Sequence, residues 1–414
     1  MKPPASRLSF AAVCEELDRR RHITLGLDRM EQLLSVLGNP ERRLQTVQVV
    51  GTNGKGTTSV ALAAALEVAG HTSGAYLSPH VLSYTERVMV RGRRVSEGEF
   101  ASGMGEVIRT ADEHGIPASQ FELLTAGAIK MFADAGLSCA VLEAGMGARY
   151  DATTAAESEI VVLTNVGLDH TEYLGETVEE IAIEKLASLE TGSTLILGTR
   201  DPEVVGISRR ECARVGAELV EIEVPEEPGT AFEGFAPYAA HDTIVGIRAA
   251  EAVLDEKLDA GAWEQMGRRI RGVLPGRFEA HEFRGVPVVV DGGHNLPGLE
   301  AALAGVKHVY GGKPLAVVFG CLRDKDIGSM LAALKNEACS LVLTQPENER
   351  AADPTWIDRE YVPRDLRGRR ARVIEDVGEA LIVAAEEMVP MGGVVLVTGS
   401  LYTAAGVLET LREV

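Results

Sequence analysis

Cysteine is scarce in this 414-residue chain: Cys14, Cys139, Cys212, Cys321 and Cys339 are five in number, scattered, and never arranged as CxxC. That pattern argues against a disulfide framework and against a zinc site, and it suits a reducing cytosol. Long apolar runs are missing too. None approaches the roughly 20 residues that span a bilayer, and the N-terminus has no signal-peptide apolar core. The expected setting is cytoplasmic, with no membrane partner. Positive charge is also in deficit, because 41 Lys and Arg stand against 61 Asp and Glu, a formal charge of −20. No broad basic surface is expected, so nucleic acid is not an expected partner. A local cluster of Lys and Arg can still hold a small anion. Aromatics are only 5% of residues, yet the hydrophobic total of 45% is that of a globular protein rather than a disordered chain. The length exceeds one ordinary core and predicts two domains, in a chain expected to act as a monomer.

What the sequence does have is glycine in one informative place. Val47, Val49 and Val50 supply a β-branched strand that runs into Gly51-Thr52-Asn53-Gly54-Lys55-Gly56-Thr57-Thr58, and an alanine-rich helical stretch, Ser59 to Val68, follows. Glycines let backbone amides converge on an anion, and a helix N-terminus adds unsatisfied N–H groups and a partial positive charge. Lys55 is then placed for the β- and γ-phosphates of ATP, and Thr57 or Thr58 for Mg²⁺. The loop is not a strict Walker A. Val49 stands where that pattern has its first Gly, and Gly56 stands where Ser or Thr follows the Lys.

Strand and helix patterns alternate along most of the chain, which predicts a mainly parallel sheet covered on both faces. Strands are expected at Thr46–Val50, Ser73–Leu77, Cys139–Leu142, Ile160–Thr164 and Thr194–Leu197, with helices such as Glu122–Ala135 and Val178–Glu190. Pro225–Ala240 reads as a loop, Asp242–Leu258 as a helix, and the pattern breaks at Gly272–Arg277. A second βα series follows, with strands Val288–Val290, Leu315–Phe319, Leu341–Leu343 and Val394–Val397. Pro287 lacks a ladder donor, so the first of these is expected to begin just after it. This series reads as a smaller doubly wound domain.

Ligands in such sheets sit beyond the carboxyl ends of the strands. Ser78, Glu143 and the pair Asp169-His170 all stand there. A hydroxyl, a carboxylate and an imidazole near a phosphate loop could hold Mg²⁺ between phosphate and substrate, His170 being the unusual ligand.

The motifs in order resemble the folylpolyglutamate synthase and dihydrofolate synthase branch of the Mur ligase superfamily. The matching segments are Leu25–Arg29 (LGLDR), Gly51–Thr57 (GTNGKGT), Leu77–His80 (LSPH) with Thr85-Glu86-Arg87, and Phe121–Ala126 (FELLTA). Gly167–Gly175 (GLDHTEYLG), Leu274–Arg277 (LPGR), Asp291–Asn295 (DGGHN) and Gly399–Tyr402 (GSLY) continue the series. The implied fold is α/β: a P-loop-type, mainly parallel ATP-binding domain over residues 1–274 and a smaller Rossmann-like glutamate-ligase domain over 275–414. The implied reaction is ATP-dependent joining of L-glutamate to a folate-type acid through an acyl phosphate. By the same resemblance Ser78, Glu143, His170 and Thr57 hold metal at two sites, and Lys185 is carbamylated to serve as a further ligand. Lys55, His170 and Lys185 carry the catalytic roles. Arg87, Phe121, Arg149, Asp151 and Ser400 face the substrate, and Arg277, Asp291 and His294 bring the second domain to the nucleotide, so catalysis is expected to need domain closure. Read without the resemblance, Lys185 is a solvated lysine beside Glu184.

The resemblance frays at Ala148, Tyr150 and Thr154, where the family has Gly, Leu and Asn. It frays again at Leu186-Ala187-Ser188 and at Val245, a position commonly Asn. Ala148 adds a methyl where backbone approaches a ligand, and Tyr150 enlarges the same wall. These changes leave open a same-fold ligase for another carboxylic acid or amine. A small-molecule kinase or NTPase would also use the loop but gives no reason for His170, Lys185 and Asp291–Asn295 together. A non-catalytic nucleotide-binding module is disfavoured by Lys55, Glu143 and His170 all being present.

Overall fold

The computed structural model describes residues 8–22, 24–225, 229–362 and 371–412. They form two compact units. One runs to Ala231 and resumes over His241–Ile270; the other takes Phe232–Ala240 and the chain from Arg271 onward.

The first unit holds strands β1 (Gln45–Val50), β2 (Ser73–Tyr76), β3 (Val88–Val90), β4 (Arg93–Arg94), β5 (Cys139–Glu143), β6 (Ile160–Leu163), β7 (Thr194–Leu197) and β8 (Glu218–Glu221). Among the described residues they make one sheet in the order β4-β3-β2-β5-β1-β6-β7-β8. All pairings from β2 to β8 are parallel, and only the β2–β3 and β3–β4 pairings at one edge are antiparallel. The valines of β1 are fully buried, as a strand covered on both faces requires. Val47 pairs with Val141 on one side and Ile160 on the other. The chain crosses β1 between β5 and β6, and such a reversal of strand order opens a crevice at the carboxyl ends.

Helices cover both faces. Tyr76, Phe100 and Phe132 centre one cluster, and Val50, Leu163, Ala182 and Leu195 belong to another. The helix Lys55–Val68 is buried from Thr57 to Leu66. Small residues allow this: a Cβ at Gly246 would stand 2.5 Å from the Thr58 carbonyl. Capping boxes start the helices that carry site residues, Ser119 with Glu122 for Gln120–Asp134 and Thr177 with Glu180 for Val178–Lys185.

The second unit contains β9 (Glu279–Phe283), β10 (Val286–Val290), β11 (Leu315–Phe319), β12 (Ser340–Leu343), β13 (Ala371–Val373) and β14 (Val394–Thr398), in the order β13-β12-β11-β14-β10-β9. Only β9 is antiparallel. Its core gathers Val289, Val317, Phe319, Met330 and Leu396.

The α/β class matches the expectation, and the differences lie at edges. Pro287 is inside β10 rather than before it. At Pro287 only β9 pairs, opposite Glu282, while β14 begins at Val288, so on the β14 side the missing N–H removes no ladder bond. The strands β3, β4, β8, β9 and β13 were not expected. Most are short, or alternate with charge (Glu279-Ala-His-Glu-Phe283), and present little apolar pattern. The helix expected from Asp242 starts at Pro237, where a proline opens the first turn without losing a bond. Among the described residues no helix is long and apolar enough to cross a membrane.

Candidate active site

The loop after β1 is shaped by contacts that only glycine permits. Gly51 has φ 151°, and a Cβ there would lie 1.9 Å from Thr164 Oγ1. Gly54 is left-handed at φ 82°, and its Cβ would meet the Asp242 carboxylate at 2.5 Å. The first intrahelical bond runs from Thr58 N–H to the Gly54 carbonyl (2.9 Å), so the N–H groups of the opening turn precede the helical ladder. Thr52 N–H and Asn53 N–H point elsewhere, to the Asn165 carbonyl (3.0 Å) and the Asn165 side chain (3.0 Å). The amides of Thr52 and Asn53 are therefore already engaged by Asn165. The hydroxyl of Thr58 donates to the Asp242 carbonyl at 3.1 Å, which leaves Thr57 as the better-suited hydroxyl for a cation.

Two lysines converge on this loop. Lys55 Nζ donates to the carbonyls of Gly51 and Thr52 (3.1 Å each), and Lys185 Nζ donates to the Gly51 carbonyl at 2.7 Å. Lys185 is only 4% exposed, so the solvated-lysine reading of its helix does not hold. Burial, and then the neighbouring Lys55 charge, push its pKa down to about 7.

Ser78, Glu143 and Arg87 meet at the ends of β2 and β5. Glu143, buried, accepts from Ser78 N–H at 2.8 Å, which sets a carboxylate beside a hydroxyl-bearing residue. Hard oxygen donors of this kind suit Mg²⁺. Arg87 is buried, with Nη1 3.4 Å from Ser78 Oγ and Nε donating to His80 Nδ1 at 2.8 Å. That bond places the His80 proton on Nε2, and burial, then Arg87 and Arg21, hold its pKa down to about 3. Among the described residues Arg87 has no carboxylate at ion-pair distance. Glu86 next to it receives the N–H groups of Val81, Leu82 and Ser83 (2.8, 3.0 and 2.9 Å), which fixes the turn.

His170 follows β6 in a left-handed conformation (φ 51°), exposed, its N–H on Asp169 Oδ1 at 2.9 Å. Among the described residues no three His, Cys, Asp or Glu side chains come together as a metal cluster.

The other expected substrate contacts divide. Phe121 lies against Tyr76 with ring centroids 5.9 Å apart, and it crowds Gly145. Asp151 is buried and takes four donors: Gly145 N–H (2.8 Å), Met146 N–H (3.0 Å), Thr153 N–H (3.0 Å) and Thr153 Oγ1 (2.6 Å). Burial raises its pKa against those bonds, and the carboxylate acts as the latch of its own loop. Arg149 is half-exposed and paired with Glu184 at 2.7 Å, on the helix that carries Lys185. Among the departures, Ala148 is fully buried in one cluster with Ala182 and Leu186, so its methyl fills core instead of walling a ligand. Thr154 Oγ1 takes a bond from buried Gln48 (2.8 Å) and gives one to the Ala148 carbonyl (2.7 Å). Only Tyr150 of that group is exposed, at 51%. Val245 is buried against Gly198.

In the second unit, Asp291 accepts from Phe278 N–H (2.9 Å), Gly293 N–H (2.9 Å) and the Tyr238 hydroxyl. His294 Nδ1 faces the Gly292 carbonyl at 3.1 Å. Ser400, 2% exposed, accepts from Thr403 N–H (3.0 Å) and bonds Thr403 Oγ1 (2.8 Å), capping the last helix. Arg277 sits beside Gly292, its Nη1 3.0 Å from where a Cβ would be. Asn165, His80, Asp242 and Tyr238 were not foreseen. Asn165 stands two residues beyond β6, so a wider reading of the strand-end rule would have found it.

Two family models match the chain: Mur ligase middle domain over residues 49–215 and Mur ligase, glutamate ligase domain, over residues 276–401. The dihydrofolate synthase/folylpolyglutamate synthase of Escherichia coli (strain K12) is 30% identical over 99% of this chain and 96% of its own. The structure of Mycobacterium tuberculosis folylpolyglutamate synthase complexed with ADP superposes with a TM-score of 0.86 at 26% identity, covering 97% of this chain and 98% of that one. The bifunctional folylpolyglutamate synthase/dihydrofolate synthase of Yersinia pestis, complexed with AMPPNP and Mn ion, gives 0.80 at 28% identity over 99% and 100%. Identity along nearly the whole length, together with the two Mur ligase domain matches and the shared fold, establishes that this chain belongs to the dihydrofolate synthase/folylpolyglutamate synthase family and is an ATP-dependent ligase built from Mur ligase domains.

Proposed function

We propose that the chain joins the amine of L-glutamate to the carboxylate of a folate-type acid, dihydropteroate or a tetrahydrofolate, with ATP and Mg²⁺. A carboxylate oxygen of the acid bonds to the γ-phosphorus as the bond to ADP breaks. The glutamate nitrogen then bonds to the acyl carbon, loses a proton, and inorganic phosphate leaves. The observation that carries the acid's place is Arg87: a buried guanidinium without a carboxylate partner among the described residues, held by neutral His80 and beside Ser78. A buried cation of this kind is costly until an anion pairs with it. Its planar fork suits a carboxylate.

The amides that open the helix Lys55–Val68 and the Lys55 ammonium receive the phosphates. They act by positioning and by opposing charge as it develops. Thr57, Ser78, Glu143 and His170 are the residues that would hold Mg²⁺, which when bound draws charge from the phosphoryl oxygens. Lys185, with a pKa of about 7, keeps a share of neutral amine near neutral pH. Such an amine can add to CO₂, forming an N–C bond and releasing a proton, to give a carbamate that would serve a second cation. Phe121 supplies an aromatic wall for a flat ring. Burial of Ala148, and the bonds that tie Thr154 to Gln48 and to the Ala148 carbonyl, remove most of the ground for a different acid.

The deciding experiment offers purified protein, ATP, Mg²⁺ and glutamate a panel of dihydropteroate, tetrahydrofolate and unrelated carboxylic acids while ADP is followed. Release should depend on the folate-type acid. Turnover of an unrelated acid alone would replace this substrate assignment with the broader ligase reading.

A further inference from the structure

The phosphate loop is held in shape from the side by the segment that follows β6. Thr164 N–H continues the β1–β6 ladder onto the Val50 carbonyl (3.0 Å), and Thr52 N–H reaches the Asn165 carbonyl (3.0 Å). Beyond that point backbone pairing stops and side chains take over. Asn165 Oδ1 accepts from Asn53 N–H at 3.0 Å while its Nδ2 donates to the Asn53 carbonyl at 3.0 Å. One side-chain amide thus grips both peptide groups of one loop residue, as a neighbouring strand would. The Asn53 carbonyl takes a second bond from Thr164 Oγ1 (2.7 Å). Thr52 Oγ1 adds a reciprocal pair, donating to the Gly167 carbonyl (3.1 Å) and accepting from Gly167 N–H (2.9 Å).

Thr52 and Asn53 are the two residues between the glycine pivots Gly51 and Gly54. Glycines leave a loop free to rotate. The grip from β6 removes that freedom. It turns the Asn53 N–H away from the anion side and brings Gly54 in at φ 82°, from which the helix opening faces outward. The same segment continues through Gly167 to Asp169 and His170, so one clasp joins the loop to the strand end that carries His170.

We infer that Asn165 is a positioning residue for nucleotide binding: its amide pre-sets the Gly51–Gly54 loop so that ligand need not order it. Preorganisation of this sort acts on affinity, because the ordering cost falls on folding rather than on binding. The effect belongs to the nucleotide and not to the acid, since Arg87 and His80 lie on the turn after β2 and share no bond with the clasp. The inference rests on the loop being the phosphate site.

The test is calorimetric titration of ADP into the whole chain, with KM for ATP and for the acid measured in parallel. Asn165→Ala should weaken ADP binding and raise KM for ATP at least ten-fold, with KM for the acid within two-fold. Asn165→Asp keeps the shape and one acceptor but sets oxygen against the Asn53 carbonyl, and should lose as much. Thr52→Val, combined with Asn165→Ala, should cost less than the two single losses together, because both act on one clasp. ADP affinity within two-fold of wild type in a folded Asn165→Ala overturns the inference. Should that variant not fold, Asn165→Asp decides by the same threshold. Wild-type protein that binds no ADP at this loop overturns the phosphate-site reading and the inference with it, whereas normal wild-type binding with unaffected variants overturns the inference alone.

Discussion

The loop after β1 and the loop after β10 both leave a parallel strand at its carboxyl end, yet they use their polar groups in opposite ways. Around Gly51 the backbone is tied down by Thr164, Asn165 and Gly167, and Lys55 and Lys185 both donate to carbonyl oxygens of the loop. Around Asp291 the charge itself is committed: the carboxylate gathers two N–H groups and a phenol, and nearby Ser400 caps a helix. Asp151 in the first unit behaves like Asp291. A polar residue at a strand end is thus a ligand contact or a builder according to how much of its hydrogen-bonding capacity the fold already consumes.

Lys55→Ala offers the sharpest break of this comparison. Loss of the loop cation should lower ATP consumption about a thousand-fold or more, measured as ADP release. Near-normal turnover would show that Lys55 keeps its carbonyl partners during the reaction. Asp291→Ala should act on stability first, costing about 3 kcal/mol in denaturant unfolding because buried donors lose their acceptor. An unchanged unfolding midpoint together with lost nucleotide affinity would move Asp291 into the ligand class. Lys185→Ala should reduce activity roughly a hundred-fold, with partial return on adding small carboxylates, if a carbamate stands there. The wild-type pH profile provides the companion measurement. Lys185 is protonated below its pKa of about 7, so carbamate formation and activity should fall as pH falls through that value and return as it rises. A flat profile in CO₂-depleted and CO₂-supplied buffer alike would leave Lys185 as a plain amine. Ser400→Ala carries the smallest effect, about 1 kcal/mol of stability as a lost helix cap, with turnover within two-fold. A ten-fold loss of turnover at unchanged stability would make Ser400 a substrate contact after all.

Much of the site could be read along the chain. The valines of β1 followed by GTNGKGT announced a strand, a glycine-pivoted turn and a helix start through composition alone. Ser78, Glu143 and His170 followed from the rule about strand ends. Asp151 could not be assigned by the same means. Its motif gives the residue type but says nothing of the four donors that Gly145, Met146 and Thr153 turn inward. Ala148 misled in a related way, since a methyl beside a site and a methyl beneath it look alike until Ala182 and Leu186 are seen around it. The antiparallel β9 escaped because Glu279, His281 and Glu282 interrupt any apolar alternation.

The sequence by itself determined the class of fold, the order of its central strands and the family, because periodicity and motif order are properties of the chain. Tertiary structure decided which polar groups remain available. Lys185 has no feature in its own helix that separates it from an exposed lysine. Burial against Gly51 and the charge of Lys55 lower its pKa, and both come from residues far along the chain. Asn165 is likewise an ordinary strand-end asparagine until β6 lies beside β1 and its amide meets Asn53. Desolvation and hydrogen-bond pairing depend on who the neighbours are, and only the folded chain supplies them.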